Sequence, residues 1–318
     1  MKVSRTRFIS TGGVSIYIPP GFNHPYSVIS NKRGDSIAAI QYPVFNSFRW
    51  AASDGKNGCY VAADSVGTPS WPYGMHYLVN LDSLGAIQRM HKIFTRPEDM
   101  ITVPDGTLLT GRIRVTLSSR TRSSTVLTLL GHDGREKWRR FFGSEHTIGV
   151  GAAPQRDGSY VVATFGLVPG SGSPEFYAYD NKLYRVSATG DSLDQVVYGT
   201  AGYHDEPARV IGTTDGGVAV VGWRSLTFNQ PREGVLTKLD SAFNVEWQYI
   251  LPSNLGSAGS GSAFFDVREL PGGRFIVLGT SGTVPHLAVI NPPAAGGSTG
   301  YATFQYRPAY YAYRMVYD

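Results

Sequence analysis

The stretch that decides the fold is residues 205–247, DEPARVIGTTDGGVAVVGWRSLTFNQPREGVLTKLDSAFNVEW. It contains four short apolar runs separated by turn signals. Asp215-Gly216 separates the first two runs, and Asn244 separates the last two. Asp-Gly between apolar runs favours a tight hairpin, because such turns need residues that accept positive φ. The stretch therefore predicts a unit of four antiparallel strands.

The same pattern recurs along the chain with a period of 50 to 58 residues. Two sets of turn markers follow this period independently, one between the first and second runs and one between the third and fourth. The first set is Gly12-Gly13, Asp54-Gly55, Asp105-Gly106, Asp157-Gly158, Asp215-Gly216 and Gly272-Gly273, and the second is Gly34, Gly85, Gly134, Gly190, Asn244 and Gly297. Four strands per repeat of this length are typical of a β-propeller.

We therefore predict an all-β fold, a single β-propeller domain of six four-stranded blades over 1–318, with seven blades as the alternative. The predicted blades are 3–45, 46–95, 96–145, 146–202, 203–260 and 261–306. The β-rich segment 308–318 is predicted to pair with the N-terminal blade and fasten the ring, which would cover an exposed sheet edge.

The repeat in 205–247 resembles the degenerate propeller repeats of bacterial secreted and surface proteins. Its motif is D-E-x-A, then D-G-G, V-V-G, L-x-K-L-D and W, and it is similar to Delta-60-like repeats and to repeats associated with type IX secretion. Asp133–Trp138 (D-G-x-x-x-W) also resembles a PQQ-type repeat. This resemblance implies turns and packing, and it implies no catalytic residue.

Composition sets broad limits on function. The formal net charge is +5, which permits weak attraction to polyanions. The single cysteine, Cys59, excludes an intrachain disulfide and is expected to be buried. No apolar run reaches membrane-spanning length, and no signal peptide is predicted at Met1–Ser10. The compartment stays unassigned, with a surface or extracellular location if Met1 begins a processed form.

Long, varied connections are predicted at one face of the propeller, over 64–75, 115–124, 166–176, 224–234 and 251–262. Rigid scaffolds carry recognition on such loops. The first of them contains Trp71 and Tyr73, which could stack on a sugar or anchor a partner. The alternative is a loop that folds on its own tryptophan.

The third repeat is rich in basic residues, among them Arg120 and Arg122, and could bind a polyanion. Solvated outer strand faces are the alternative explanation, and specific reading of a nucleic acid is not predicted, since no recognised module is present.

Three repeats carry an acidic residue that we expect just ahead of their first strand, the innermost strand of a propeller blade: Asp99, Glu145 and Asp205. If they converge at the channel mouth they could hold Ca²⁺, and His146 or His204 could add acid–base chemistry or contact a ligand. The alternative is that these acids brace turns. No other cofactor is predicted.

Zinc-ligand spacings, nucleophile elbows and phosphate-binding loops are absent from the sequence. We therefore expect a non-enzymatic binding or assembly module that presents its loops to a protein or glycan partner, within a surface, secretion or virion assembly. One alternative is a hydrolase or lyase with a metal at the channel mouth. Another is a polyanion binder acting through the third repeat.

Overall fold

The computed structural model describes residues 2–4, 7–15, 23–31, 33, 35–54, 57–65, 75–93, 95–117, 120–143, 147–167, 179–200, 202–226, 230–253, 261–282, 284–293 and 301–305. These residues form strands and turns, and no helix occurs among them. They divide into two compact units, one within Met1–Phe142 and one within Gly143–Met315. Each unit contains three four-stranded antiparallel sheets.

The strands of the first unit form three meanders in chain order. The first sheet is β1 (Lys2–Ser4), β2 (Arg7–Ser15), β3 (Asn23–Asn31) and β4 (Ser36–Gln41). The second sheet is β5 (Phe45–Ser53), β6 (Cys59–Ser65), β7 (His76–Leu81) and β8 (Ile87–Ile93). The third sheet is β9 (Arg96–Val103), β10 (Gly106–Leu117), β11 (Arg120–Leu130) and β12 (Glu136–Phe142).

The second unit repeats this arrangement. The fourth sheet is β13 (Thr147–Pro154), β14 (Tyr160–Leu167), β15 (Tyr179–Val186) and β16 (Ser192–Tyr198). The fifth sheet is β17 (His204–Gly212), β18 (Val218–Ser225), β19 (Glu233–Leu239) and β20 (Val245–Leu251). The sixth sheet is β21 (Ser262–Leu270), β22 (Arg274–Ser281), β23 (Val284–Ile290) and β24 (Tyr301–Gln305).

The described part of the chain thus forms six four-stranded sheets, as the repeat predicts. The segment 308–318 lies outside the described residues, so its role as a closing strand stays a prediction, and so does the union of all six sheets in one domain.

One end of each sheet, here called the turn end, carries the connections between strands one and two and between strands three and four. Many of these are the same five-residue turn, in which the first N–H donates to the fifth carbonyl. Such bonds join Asp54 to Gly58, Asp82 to Ala86, Gln155 to Ser159, Ser187 to Asp191, Thr213 to Gly217 and Asp240 to Asn244. Asp and Asn side chains accept further N–H bonds inside these turns, for example Asp82 from Leu84 and Ala86.

The fourth position of this turn takes positive φ and is glycine in most repeats, with φ of 79° at Gly85 and 90° at Gly190. In the fifth sheet Phe243 occupies it at φ 64°, so the positive φ lies one residue before the predicted marker Asn244. A left-handed conformation costs a non-glycine residue about 1–2 kcal/mol. Burial of the Phe243 ring in the core offsets this cost. The Arg185 guanidinium lies over this ring, 4.7 Å from the ring centroid.

Two turn predictions were wrong. Gly12-Gly13 lies inside β2, where Gly12 pairs with Tyr26, while β1 ends at Ser4 and β2 begins at Arg7, with which Ser4 pairs. This glycine pair lacks the preceding Asp that braces other turns. The predicted long loop 115–124 is also a strand extension, because β10 and β11 pair as far as Leu117 and Arg120.

A β-bulge interrupts the first strand of five sheets, opposite a small residue of the second strand. At the bulge of the fifth sheet a Cβ on Gly222 would lie 2.1 Å from the carbonyl oxygen of Glu206. This close approach explains the glycine that ends the V-V-G motif. The bulge also turns one first-strand residue toward the second strand.

The core lies between neighbouring sheets of each unit. In the first unit Cys59 is fully buried with Val61 and Phe45, as the sequence predicts. Burial raises the pKa of the Cys59 thiol to about 12, which leaves it without thiolate character at neutral pH. In the second unit Phe264 and Phe275 join Val221 and Leu236 across the fifth and sixth sheets.

Candidate functional site

The other end of each sheet, here called the loop end, carries the connections between strands two and three and between consecutive sheets. Charged and aromatic side chains gather here in arrangements that differ from sheet to sheet. The described parts of the second, third and fifth sheets show three such arrangements.

In the second sheet the loop end is braced by Asp64, which lies near the end of β6 and is buried. Its carboxylate accepts bonds from Arg49 Nε at 2.6 Å, Ser47 Oγ at 2.9 Å and His76 Nδ1 at 2.7 Å. Arg49 lies in the second of two bulges of β5, between Phe48 and Trp50, and this bulge directs its guanidinium toward Asp64. Burial alone would raise the pKa of Asp64, but these three bonds lower it to about 2.

In the third sheet the same brace occurs with its charges exchanged. The bulge residue is Glu98. Arg112 follows Gly111, the small residue opposite this bulge, and is therefore the counterpart of Asp64. Glu98 Oε1 lies 3.2 Å from Arg112 Nε and 3.6 Å from Arg96 Nε.

Other basic residues of the third sheet also have acidic partners. Arg139 pairs with Glu136, and Lys137 lies 3.6 Å from Asp105. The backbone of Arg120 and Arg122 belongs to β11, while their side chains lie outside the described residues. Much of the basic character seen in the sequence is therefore compensated within the sheet, and polyanion binding through Arg120 and Arg122 stays a prediction.

Asp99 is a buried residue inside β9 rather than ahead of it. It follows the bulge and pairs with Thr110, so its counterparts in other sheets are Arg209 and Asp266. Those two form an ion pair at 3.7 Å between the fifth and sixth sheets. Asp205 also lies inside its strand, but it pairs with Arg224 beyond the bulge. The two acids therefore occupy different positions relative to the bulge, and the expectation that they are equivalent was wrong.

Asp205 belongs to a junction between the fourth and fifth sheets. Its Oδ2 atom accepts the Thr200 N–H at 2.8 Å. Asp180, the second residue of β15, faces the same point: a Cβ on Gly199 would lie 2.9 Å from Asp180 Oδ1 and 3.0 Å from Asp205 Oδ2. The two carboxylates thus flank a space that exists because residue 199 has no side chain.

Burial raises the pKa values of both carboxyl groups, and it outweighs the nearby cations, Arg224 at Asp205 and Lys182 at Asp180. Burial raises the pKa of Asp205 to about 6; the Thr200 bond opposes this rise and the Asp180 charge adds to it. Burial also raises the pKa of Asp180. Two acids with raised pKa values at a loop end are typical of a binding or proton-handling site.

Arginine and aromatic residues surround this pair. Arg224 donates from Nε to Glu233 Oε2 at 2.9 Å and from Nη1 to Thr200 Oγ1 at 3.0 Å. Its guanidinium also lies 4.5 Å from the Tyr203 ring centroid.

Next to them, the exposed Arg232 stacks on the Trp223 ring at 3.9 Å. His204, predicted to contact a ligand, is 3% exposed and packs 5.1 Å from the Trp223 ring, with Nε2 3.7 Å from Glu206. Its ligand role stays a prediction.

Trp71, Tyr73, Glu145 and His146 lie outside the described residues. The ends of the connection that carries Trp71 and Tyr73 are described, and they are tied together. Ser65 N–H donates to the Met75 carbonyl at 2.8 Å, and Met75 N–H donates to Ser65 Oγ at 2.9 Å. Asp99 belongs to the first unit and Asp205 to the second, so a shared metal site of Asp99, Glu145 and Asp205 stays a prediction.

Sequence reasoning missed Asp180, His76 and Arg224. Asp180 and His76 share a signal that could have found them, because each lies at the start of a third strand directly after a long connection. Among the residues that the structure describes, no three His, Cys, Asp or Glu side chains gather closely enough to hold a metal ion. No helix capable of crossing a membrane occurs in the described part of the chain.

Comparison with known proteins supports the fold class. No protein family and no curated protein matches this sequence. The periplasmic gluconolactonase PpgL of Pseudomonas aeruginosa is similar in structure, with a TM-score of 0.52 and 12% identity over 95% of this chain and 82% of that one.

Two further structures also resemble the chain. A protein of unknown function from Bacteroides caccae has a TM-score of 0.47 and 10% identity over 86% of this chain and 82% of that one. The Pan2 WD40 domain of Neurospora crassa has a TM-score of 0.47 and 10% identity over 82% of this chain and 68% of that one. The all-β propeller class predicted from the repeat is confirmed, and likeness at such low identity shows the fold alone.

Proposed function

We propose that this chain is a non-enzymatic binding or assembly module that presents the loop ends of its sheets to a protein or glycan partner. The observation that carries the proposal is the contrast between the two ends. The turn ends repeat one braced five-residue turn, whereas the loop ends carry clusters that differ between sheets. A repeated end is explained by folding, and a varied end is where a scaffold gains recognition.

Two features at the loop ends suit a partner of this kind. The connection that bears Trp71 and Tyr73 begins and ends at a clamped base, Ser65 and Met75 beside the Asp64 brace. The exposed Arg232, whose guanidinium lies 3.9 Å from the centroid of the Trp223 ring, offers a cation beside a buried aromatic side chain. The resemblance to bacterial secreted and surface repeats favours a role in a surface, secretion or virion assembly.

The test is a glycan array probed with the full chain as wild type, as the Trp71→Ala/Tyr73→Ala variant, as Arg232→Ala and as the control Leu193→Ala. Leu193 is an exposed apolar residue of the outer strand β16 and lies at its turn end. The proposal expects a retained glycan class whose binding falls at least tenfold in the loop-end variants and is unchanged in Leu193→Ala. Turnover of an arrayed glycan that Asp205→Ala abolishes would instead establish the hydrolase alternative.

A further inference from the structure

A cleft of about 220 Å³ lies in the first unit, between the outer strand of the second sheet and one face of the third sheet. The strand β8 contributes His91 and Lys92 to its lining, and β12 with the turn before it contributes Arg135 and Arg139. Pockets for drug-sized ligands occupy about 300–1,000 Å³. This cleft therefore suits one small chemical group rather than a large molecule.

Thr128, on β11, faces this cleft. It pairs with Leu109 on one side and with Arg139 on the other. Residues directly opposite each other on neighbouring strands project from the same face of a sheet, and all three line the cleft. Thr128 is 3% exposed, and its hydroxyl has no hydrogen-bond partner among the described residues. Buried polar atoms are normally satisfied by protein, water or an ion, so this hydroxyl indicates a missing partner.

A second unsatisfied group lines the cleft from the neighbouring sheet. His91 lies on β8, and a Cβ on Gly134 would come within 2.9 Å of its Nε2 atom. Gly134 has a φ of 79°, so the turn favours glycine, and the absence of a side chain leaves room for the imidazole. His91 Nε2 is buried and has no described hydrogen-bond partner. A hydroxyl and an imidazole nitrogen can both donate a hydrogen bond.

The charges of the lining indicate which class of ligand fits. The lining contains three basic side chains, Lys92, Arg135 and Arg139, and one acidic side chain, Glu136. Glu136 pairs with Arg139, so the lining as a whole keeps an excess of positive charge. Outside the lining, Asp133 lies 3.7 Å from Arg135, and this largely exposed pair contributes little. A small anion with several acceptor oxygens suits these charges and donors.

We propose that this cleft between the second and third sheets binds a tetrahedral oxyanion, a phosphate or sulfate group. Thr128 Oγ1 and His91 Nε2 would donate to its oxygens, and the charges of Lys92 and Arg135 would offset its own. The bound anion would link β8 to the face of the third sheet. This site goes beyond the proposed function, because it lies between two sheets and does not involve Trp71, Tyr73 or Arg232.

The test titrates the full chain with sodium phosphate alone, or with sodium sulfate alone, by isothermal titration calorimetry in chloride buffer at pH 7.5. One anion per chain is expected, together with a rise in Tm on the order of 3 °C at saturation. Thr128→Val keeps the shape of the side chain and removes its hydroxyl, so binding should weaken about tenfold. The control Thr107→Val removes another buried hydroxyl without a described partner from the same sheet, outside the lining, and should leave binding unchanged.

Arg135→Ala tests the charge at an exposed side chain whose loss leaves the core intact, and it should weaken binding about threefold. Phenyl phosphate distinguishes the two sources of the anion. Binding of the ester with the same dependence on Thr128 would assign the cleft to a phosphate group carried by a larger molecule, and binding of the inorganic ions alone would assign it to a free ion. The absence of heat and of any Tm shift with both inorganic anions would overturn the proposal. Equal affinity in wild type, Thr128→Val and Arg135→Ala would overturn it as well.

Discussion

Asp64 in the second sheet and Asp205 in the fifth are both buried aspartates at the loop ends of their sheets, yet their pKa values move in opposite directions. Burial disfavours both carboxylates. At Asp64 three donors, including Arg49 and His76, overcome it and lower the pKa to about 2. At Asp205 one backbone N–H and a neighbouring carboxylate leave the pKa at about 6. The comparison separates an acid whose ionised form is stabilised by its neighbours from an acid whose ionised form is destabilised by burial.

The largest expected effect is at the braced aspartate. Asp64→Ala removes the acceptor of three hydrogen bonds and leaves Arg49 and His76 without it. We expect the free energy of unfolding at pH 7 to fall by about 3 kcal/mol in urea titrations. Asp194→Ala, at an exposed acid, should change it by less than about 0.5 kcal/mol. A loss below about 1 kcal/mol at Asp64 would show that the brace is weak.

The next effect has the opposite sign. The folded-state pKa of Asp205 is raised from the ordinary 3.8 to about 6, so this group lowers stability as pH rises from 3.8 to 6, and the deficit persists at higher pH. Asp205→Asn should therefore stabilise the protein by about 2 kcal/mol at pH 7.5 and have little effect below pH 3.8. Urea titrations of both proteins at pH 7.5 and below pH 3.8 measure this difference in the free energy of unfolding. Destabilisation by Asp205→Asn at pH 7.5 would contradict the account.

The smallest effects compare two hydroxyl groups. Ser47→Ala removes a donor to Asp64 and should destabilise the chain by about 1 kcal/mol. Tyr198→Phe removes a buried hydroxyl without a described partner, so it should be neutral or stabilising by up to about 1 kcal/mol. Equal losses in the two variants would erase the difference between the sites.

The repeat was readable from sequence because turn chemistry is local. Asp-Gly pairs such as Asp157-Gly158 and Asp215-Gly216 mark true turns, since Asp accepts N–H bonds inside the turn and Gly takes positive φ. Gly12-Gly13 failed because glycine permits a turn without requiring one. Phe243 shows the converse, since burial of its ring makes up for an unfavourable φ that no local rule would assign to it.

The candidate site could be predicted only in part, because pairing between strands decides which side chains meet there. Asp205 stands out in the sequence, but its neighbour Asp180 does not. The fold places the two carboxylates on either side of the space left by Gly199, which has no side chain. Glu98 and Arg112 look like separate charges until the bulge in β9 makes them partners. Asp99 and Asp205 look equivalent in the sequence, but their positions in the strand differ. Asp99 directly follows the bulge of β9, whereas Asp205 precedes the bulge of β17.

The most direct measurement is a carbon-13 NMR titration of aspartate carboxyl groups in the full chain, with Asp64→Asn and Asp205→Asn spectra to assign the two signals. The account predicts that the Asp205 signal titrates near pH 6, while the Asp64 carboxyl group stays ionised until the pH approaches 2. Titration of both signals near the ordinary 3.8 would contradict it.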